Sequence, residues 1–444
     1  MKKIIPIICL ILLLAGSAWA TDYTISTSTD TVDGATFCGG APCTGNDRLI
    51  LAAGTHVGIG FINLHGSAGN PIIITNASTG VANITSASPS GNDGYAGISF
   101  NLSDYFELDG SNYSGATYGI TIQGMYRGMQ LRDCENYEIA WLEISNTTNT
   151  VGLRHNANDT WDQTHDIVGV KYHDLYIHDT ATEGMYLGHS SADTTVPEFS
   201  GIEIYNIITE NTGWDGIQLA QVKGTGNKIY NCTVTNAGTA GVSGQDHGII
   251  INPDVWQLDV YGNTINTTHK QGIYNSINNT NVDIHDNVII SAGENGINNV
   301  SSASSNTIRD NTVISSGNYG INSGANASVL FNLLVANTTQ GCTQNGTDCS
   351  ALNNNRTSSS VAEKHFVDPA SDNYRLTSAS PAVDAPSLSG YSTTDADGNT
   401  RPASGTTADI GAYEYYPSST TNPPFIGSSG GIFTVGGVPA IGGN

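Results

Sequence analysis

The sequence predicts an all-β protein, a single-stranded parallel β-helix, which is a solenoid of stacked coils with a cap at each end. Two patterns predict it: a repeat of about 24 residues, and short β-branched stretches between turns rich in Gly, Asn and Ser. Composition agrees, because only 12% of the 444 residues are charged and Leu, Lys and Glu are scarce, which disfavours helices.

The repeat is visible as a Gly followed by an apolar residue. Successive Gly residues are 24, 32, 32, 32, 24, 24 and 24 positions apart, at Gly128, Gly152, Gly184, Gly216, Gly248, Gly272, Gly296 and Gly320. A second marker advances with the first: an Asn precedes a short apolar stretch at Asn206, Asn231, Asn263, Asn287, Asn311 and Asn332. Two markers with one shared period predict a solenoid.

Each repeat is long enough for three short strands and three turns, the content of one β-helix coil. Residues 204–208, 284–289 and 308–313 are short stretches of the β-branched type that strands favour. Coils of this kind stack about 4.8 Å apart, with Ile and Val in the interior. The Asn residues are expected to occupy left-handed turns and to bond to neighbouring coils. The 32-residue steps predict extra loops on the coils between Gly152 and Gly248, beside a site.

These patterns resemble those of the right-handed parallel β-helix superfamily, the pectate-lyase-like fold. Residues 46–56 resemble its opening coil, with a turn at Gly54-Thr55, and residues 69–74 resemble the next strand. The resemblance covers residues 30 to 345 and implies a right-handed coil. It leaves the chemistry open, because this fold carries lyases, hydrolases, epimerases, adhesins and phage spikes.

The C-terminal region resembles the choice-of-anchor Q domain, a segment found at the end of secreted bacterial β-helix proteins. The resemblance rests on residues 380–385, 397–402 and 409–415. We expect this region to cover the open end of the solenoid. Asp384, Arg401 and Glu414 are expected to form a structural set of ion pairs within it.

The chain therefore divides into four predicted segments. Residues 1–20 are a secretory signal peptide, because Lys2 and Lys3 precede an apolar run and a small-x-small site predicts cleavage after Ala20. Residues 21–345 form the β-helix with its N-terminal cap, residues 346–416 the C-terminal cap, and residues 417–444 a flexible tail. The protein is expected to be exported to the extracellular space or the periplasm.

Export places the remaining cysteines in an oxidising compartment, where disulfides persist. Cys38 and Cys43 flank one short loop, and Cys342 and Cys349 flank another. Each pair is predicted to form a disulfide.

The net charge of −24 argues against nucleic acid as a partner, because phosphate binding needs clustered Lys and Arg, and no such stripe is present. After the signal peptide no segment approaches 18 apolar residues, so no membrane insertion is predicted. The expected state is a monomer, and the expected partner is a polysaccharide.

Residues at equal distances from the repeating Gly should stack in columns along the solenoid. One position before it, the longer coils carry Glu183, Asp215 and His247. Two positions after it, they carry Arg154, Tyr186 and Gln218. Tyr274 occupies the same position after Gly272, two repeats after Gln218. Nearby positions add His189, Trp214, Asp246 and Lys270. This concentration of ionisable and aromatic side chains predicts a functional groove, and the alternative is a polar outer face without a function.

The candidate catalytic residues are Glu183, Asp215, His247, Arg154 and Lys270. Stacked Glu183 and Asp215, about 5–10 Å apart, suit glycoside hydrolysis by a carboxylate pair. Alternatively the site holds Ca²⁺, at Asp215 and Asp246, and Arg154 or Lys270 neutralises a uronate carboxylate. His247 or Tyr186 then removes a proton, as in a lyase. The candidate substrate-binding residues are Tyr186, Trp214, Gln218, Tyr274 and His189, among which the aromatic rings offer faces for sugar stacking.

The predicted function is that of a secreted carbohydrate-active β-helix protein that binds or acts on an extracellular polysaccharide, with lyase chemistry as the preferred reaction. Two alternatives stay open. One is a non-catalytic glycan-binding or cell-surface protein of the adhesin type, and the other is a glycoside hydrolase with paired carboxylates. Beyond Ca²⁺ the sequence calls for no cofactor.

Overall fold

The computed structural model describes residues 21–86, 95–155, 166–189, 198–324, 326–349, 355–385, 390–403 and 407–416. These residues wind into a right-handed parallel β-helix with three strands in each coil, and they contain no α-helix. The predicted fold class is confirmed. The predicted signal peptide and the predicted tail lie outside the described residues. In the described part of the chain, no helix has the length and apolar character that crossing a membrane requires.

The strands of successive coils stack into three parallel faces, called here faces 1, 2 and 3. Face 1 contains Thr31–Asp33, Ile59–Ile62, Leu153–His155, Met185–Leu187, Ile217–Leu219, Ile249–Ile251, Ile273–Asn275, Ile297–Asn299, Tyr319–Ser323 and Gln340–Gln344. Face 2 contains Asp22–Ile25, Arg48–Leu51, Ile72–Asn76, Val170–His173, Glu203–Tyr205, Asn227–Tyr230, Trp256–Tyr261, Thr280–His285, Thr307–Arg309 and Ser328–Leu330. Face 3 contains Gly54–Val57, Ala82–Ser86, Ile120–Gln123, Leu142–Ser145, Tyr176–Thr180, Ile208–Thr212, Thr233–Ala237, Thr264–Thr268, Val288–Ala292, Thr312–Ile314, Leu333–Val335 and Arg356–Ser358.

Two long strands, Ala96–Asp109 and Arg127–Ala140, bend at a corner and contribute to both face 1 and face 2. Two shorter strands, Ile167–Val168 and Phe199–Ser200, pair with each other outside the three faces. Thr347–Asp348 adds an antiparallel strand to Gln340–Gln344. Arg356–Ser358 pairs with Leu333–Val335, so strands of the solenoid continue past residue 345.

The repeating Gly residues set the register between coils. Met185 pairs with Ile217, and Ile217 pairs with Ile249, each directly after its Gly. A Cβ atom added to Gly184 would lie 2.6 Å from the carbonyl oxygen of Gly216. Such a contact is much shorter than van der Waals distance, so this position accepts no side chain, which explains why the marker recurs on every coil.

The Asn marker combines two structural roles at the corner between faces 2 and 3. Asn206 and Asn231 adopt the expected left-handed conformation, with φ of 52° and 53°. In later coils the left-handed residue stands one position earlier, at Gly262 with φ of 62° and at Asp286 with φ of 53°. From Val170–His173 onward, two residues separate each face 2 strand from the face 3 strand that follows it.

The later Asn residues instead form a buried ladder inside this corner. Its members are Asn263, Asn287, Asn311, Asn332 and Asn355. From Asn287 onward, the Oδ1 atom of each accepts hydrogen bonds from the backbone N–H and the Nδ2 of the Asn one coil earlier, at 2.9–3.1 Å. The Oδ1 atom of Asn263 accepts from the backbone N–H of Cys232 at 2.9 Å. Bonding between coils was expected of these residues, and the ladder provides it without a left-handed Asn.

The C-terminal segment, residues 361–416, packs along the side of the solenoid. It contains two 3₁₀ turns, Val361–Lys364 and Pro369–Ser371, and a hairpin of Phe366–Asp368 with Asn373–Leu376. Outward side chains of face 3, including Val288, Ile290, Ile314, Leu333 and Val335, form one apolar cluster with Phe366, Tyr374, Leu376, Ala382, Ala385, Ile410, Ala412 and Tyr413. We expected this region over the open end of the last coil, whereas the described contacts are lateral.

Arg401 joins this segment to the solenoid. Its guanidinium donates to Asp286 at 2.8 Å and to the carbonyl oxygens of Asp409 and Gly411 at 3.0 and 2.7 Å. Glu414 instead accepts hydrogen bonds from backbone N–H groups, among them that of Asp409 at 2.9 Å. The expected ion-pair set of Asp384, Arg401 and Glu414 is therefore wrong in its partners, because the carboxylate that pairs with Arg401 belongs to the solenoid.

Both predicted disulfides are present. Cys38 and Cys43 are bonded with their Cα atoms 5.0 Å apart, and Cys342 and Cys349 with theirs 5.1 Å apart. Cys134 and Cys232 are buried free thiols.

Candidate functional site

The predicted columns exist, on face 1 and at its corner with face 3. In the first column, the backbone N–H groups of Gly184 and Gly216 donate to the carbonyl oxygens of Asp215 and His247, each at 3.0 Å. Glu183, Asp215 and His247 therefore follow one another on adjacent coils. In the second column, Arg154 pairs with Tyr186, Tyr186 with Gln218, and Tyr274 follows two coils later.

The extra residues of the longer coils lie at two different corners. Residues 156–166 and 188–198 follow face 1 strands, and 156–165 and 190–197 lie outside the described residues. The third set, residues 238–248, stands between face 3 and face 1. Among the described residues, 238–248 form a longer connection along the face 3 edge of face 1.

Burial divides the predicted site residues into two groups. Almost fully buried are Glu183, Asp215, Gln218, Asp246 and His247, of which Asp215 and Asp246 have no exposed surface. Partly exposed are Arg154, Tyr186, His189, Trp214, Lys270 and Tyr274. The carboxylates were expected on a solvated or partly covered groove, and the structure places them beneath the surface, where the next coil and the corner cover them.

Burial controls the ionisation of the stacked carboxylates. It raises the pKa of Asp215 well above its usual range, and the negative charges of Glu183 and Asp246 raise it further. A 2.8 Å hydrogen bond from the backbone N–H of His247 to Oδ1 acts in the opposite direction. The other oxygen, Oδ2, has no hydrogen-bond partner among the described residues. Burial also raises the pKa of Glu183. Burial, more than the pairing of carboxylates, is thus the main cause of the raised pKa of Asp215.

His247 is a neutral imidazole at the edge of this group. Burial lowers its pKa to about 4, although the charge of Asp246 acts to raise it. Its Nδ1 accepts a long hydrogen bond from the backbone N–H of Gln271, 3.4 Å, which assigns the proton to Nε2. The ring stacks on Tyr274 at a centroid distance of 4.9 Å. One face of Tyr274 is therefore covered by His247 and is not available to a sugar.

Asp246 is a buried carboxylate surrounded by basic groups. Its Oδ2 atom lies 3.0 Å from Nδ1 of His269 and 3.7 Å from Nζ of Lys270. The ammonium group of Lys270 in this position opposes a bound Ca²⁺. No group of three or more His, Cys, Asp or Glu side chains within the described residues is arranged to hold a metal ion. Ca²⁺ at Asp215 and Asp246 stays a prediction that these contacts do not favour.

The partly exposed residues combine cations with aromatic rings. The guanidinium of Arg154 lies 5.9 Å from the ring centroid of Tyr186, within the range of a cation–π contact. The side chain of Lys270 keeps 26% of its surface exposed beside Asp246. Such a surface can bind a polymer that carries both sugar rings and carboxylates.

A row of stacked rings on face 2 was missed at the level of sequence. It consists of His173, Tyr205, Tyr230, Tyr261 and His285, with centroids 4.6–5.1 Å apart. Each ring stands directly before the left-handed corner residue, in the pairs His-Asp, Tyr-Asn and Tyr-Gly. That recurring pair is the signal that could have revealed the row.

The fold and its stacked columns define the chain as a right-handed parallel β-helix protein. Residues 161–339 match the family model described as the right handed beta helix region. No curated protein matches the chain.

Among solved structures, the chain is similar to pectate lyase Pel9A, with 15% identity over 88% of this chain and 98% of that one, and a TM-score of 0.46. It is similar to an alginate lyase from Paenibacillus sp. str. FPU-7, with 16% identity over 75% and 97%, and a TM-score of 0.38. A GH136 lacto-N-biosidase from Eubacterium ramulus matches with 10% identity over 77% and 67%, and a TM-score of 0.52. At these identities the likeness concerns the fold.

Proposed function

We propose that the protein binds an acidic polysaccharide along the outer side of face 1. One observation carries the proposal: Arg154 and Lys270 flank the partly exposed rings of Tyr186, Trp214 and Tyr274 along face 1 and its corner with face 3. Cations recognise uronate carboxylates through charge-assisted hydrogen bonds, while aromatic rings pack against the apolar faces of sugars.

The electrostatics of face 1 support an acidic ligand in spite of the overall charge of −24. A raised pKa keeps Asp215 protonated over a wider pH range, and the pKa of Glu183 is raised as well. The charge of Asp246 is compensated by Lys270, and its Oδ2 atom lies 3.0 Å from Nδ1 of His269. The carboxylates beneath the surface therefore repel an anionic polymer less than the composition implies.

Cleavage by β-elimination is the second candidate. The observation that favours it is that His247, whose pKa is lowered to about 4, follows Asp215, whose pKa is raised, on the adjacent coil. A lyase needs a group to take the proton at C5 and an acid to protonate the leaving oxygen. Hydrolysis by Glu183 and Asp215 has less support, because a hydrolase pair needs one ionised partner and both pKa values are raised. The low pKa of His247 makes it a weak base, so binding is the primary proposal.

We also propose an extracellular or periplasmic location. The two disulfides are compatible with an oxidising compartment, and the predicted signal peptide would deliver the chain there. The carbohydrate-acting proteins that share the fold guide the choice of test substrates.

The test is a panel of polygalacturonate, alginate and neutral xylan, measured for binding, for absorbance of unsaturated uronates and for new reducing ends. We expect binding of an acidic polymer that weakens with added salt. Arg154→Gln and Lys270→Gln should each weaken it about tenfold, at a cost of about 1.4 kcal/mol. Asn322→Ala, in the same column as Tyr274 but two coils beyond it, is the matched control. Equal binding of xylan, or no loss in either cation variant, would refute the proposal.

A further inference from the structure

A cleft of about 570 Å³ lies between the C-terminal segment and the corner of faces 2 and 3. This is the corner that does not border face 1. Trp141, Asp174, Asn206 and Asn231 line it on the solenoid side, and Arg375 and Asp397 are among the residues that line it on the other. Its volume falls within the range of roughly 300–1,000 Å³ that is typical of ligand sites.

Trp141 is an unusual residue for its position in the coil. It adopts a left-handed conformation with φ of 59°, at the corner where later coils carry Asp174, Asn206, Asn231 and Gly262. Asn, Asp and Gly tolerate this conformation, whereas a bulky aromatic residue is strained in it. Phe331 is also left-handed at this corner, with φ of 57°, but its ring is buried and contacts Tyr391 of the C-terminal segment. The indole of Trp141 is partly exposed, so packing of this kind does not account for it.

The lining has the chemistry of a site for sugars. The exposed amides of Asn206 and Asn231 both donate and accept hydrogen bonds, as sugar hydroxyl groups do. The partly exposed indole of Trp141 offers an apolar face for a pyranose ring. Trp141 also lines a smaller adjoining pocket of about 190 Å³, whose walls include Glu107 and Glu138.

The charged residues that line the cleft indicate which class of ligand it can bind. Asp174, Asp395 and Asp397 line the cleft against one cation among its described residues, Arg375. Arg375 is itself neutralised, because its Nε donates to Asp397 at 2.6 Å. A surplus of carboxylates repels uronates and phosphates, so an uncharged ligand fits best.

We propose that this cleft is a second carbohydrate site, which binds a neutral oligosaccharide with Trp141 as its stacking platform. The site shares no residue with the face 1 surface. It favours an uncharged ligand, whereas face 1 favours an acidic one. It therefore stands independently of the function proposed for face 1.

The decisive variant is Trp141→Asn in the full chain. Asn suits the left-handed corner, so thermal stability should be unchanged or higher while the indole is lost. The probes are β-1,4-linked tetrasaccharides of glucose, xylose and mannose, measured by calorimetry. We expect at least one to bind the unaltered protein, with little dependence on salt, and Trp141→Asn to weaken it at least about tenfold. Asn231→Gly, which keeps the corner conformation and removes one amide, should weaken it about threefold.

Tyr186→Ala, on face 1, is the matched control and should leave tetrasaccharide binding intact. The proposal is overturned if none of the three probes binds, if Trp141→Asn retains full affinity, or if Tyr186→Ala abolishes the binding. Because acidic polymers and Arg154→Gln are measured separately, failure of one site can be told apart from failure of the other.

Discussion

Arg401 and Asp286 form a buried ion pair at 2.8 Å, although 115 residues separate them in the chain. Neither side chain is more than 2% exposed. Burial acts to lower the pKa of Arg401, but the negative charges of Asp286 and of Asp310, on the following coil, raise it. The C-terminal segment is thus attached to the solenoid by a charge that water does not reach.

Removal of the cation should detach this segment. Arg401→Gln removes the guanidinium from the buried Asp286 carboxylate, which keeps its 2.7 Å hydrogen bond with His285. We expect a loss of about 3 kcal/mol in the free energy of unfolding. Urea unfolding and limited proteolysis within residues 361–416 measure the effect. Arg48→Gln breaks the exposed pair with Asp22 and should cost less than about 1 kcal/mol. Equal losses in the two variants would contradict the role assigned to Arg401.

The stability of the chain should depend on pH through Asp215. The folded state keeps this carboxyl protonated, while the unfolded chain releases the proton above a pKa of about 3.9. The free energy of unfolding therefore falls as pH rises above about 4, until the raised pKa is passed. Asp215→Asn cannot ionise, so it should exceed the original protein in stability by more than about 1 kcal/mol near pH 8, and by less near pH 4. Urea unfolding at the two pH values is the measurement, and a constant difference would contradict this account.

The pKa values of two histidines, His247 and His173, should be shifted in opposite directions from the ordinary value of about 6.5. His247, with a pKa of about 4, should show no imidazole NMR shift between about pH 5 and 8. His173 should remain protonated to higher pH than usual: burial acts to lower its pKa, but hydrogen bonds to Glu138 at 2.8 Å and Asp174 at 2.7 Å outweigh it.

The low pKa of His247 also determines how the free energy of unfolding changes with pH. The unfolded chain binds a proton below about pH 6.5 and the folded chain only near 4, so acidification across this window favours unfolding. An NMR titration that gave both histidines the same pKa would show that their surroundings are not as described.

The Asn ladder should be sensitive to a single deletion. Asn311→Ala removes the acceptor for the buried backbone N–H of Asn287 and leaves that N–H unpaired, whereas Nδ2 of Asn287 keeps its hydrogen bonds to the carbonyl oxygens of Val260 and His285. We expect a loss of at least about 2 kcal/mol in thermal or urea unfolding. Asn326→Ala is the matched control, because its exposed side chain makes one bond between coils, to Ser302, and should cost less than about 0.5 kcal/mol. A ladder variant as stable as this control would exclude an energetic role for the ladder.

The register of the coils could be predicted because it depends on local sterics that the sequence displays directly. A side chain at Gly184 or Gly216 would collide with the next coil, so the same residue type must recur at each step. The columns of Glu183, Asp215 and His247 followed from that register alone. The disulfides were likewise visible, since each pair closes a loop within a few residues.

Burial of the site residues could not be predicted in the same way. The exposure of Asp215 depends on how the neighbouring coils and the corner pack around it. An alignment of the repeats shows which residues stack in a column, but it does not show this packing. The lateral position of the C-terminal segment left a weak sign, because Val288, Ile289 and Ile290 form a continuous apolar run that is buried on both faces of its strand. The partner of that run lies about a hundred residues away, and no local pattern identifies it.

The two-residue connection between faces 2 and 3 determines where this chain can change in length. One residue inserted at 286–287 would displace Asn287 from its ladder and turn the following strand so that its interior side chains faced outward. The other two corners already carry extra residues in some coils without loss of stacking, and both border face 1. Loop grafting should therefore be tolerated at residues 238–248, whereas an insertion at the corner between faces 2 and 3 should disrupt the fold. New binding specificities can thus be added beside face 1 while the coils keep their register.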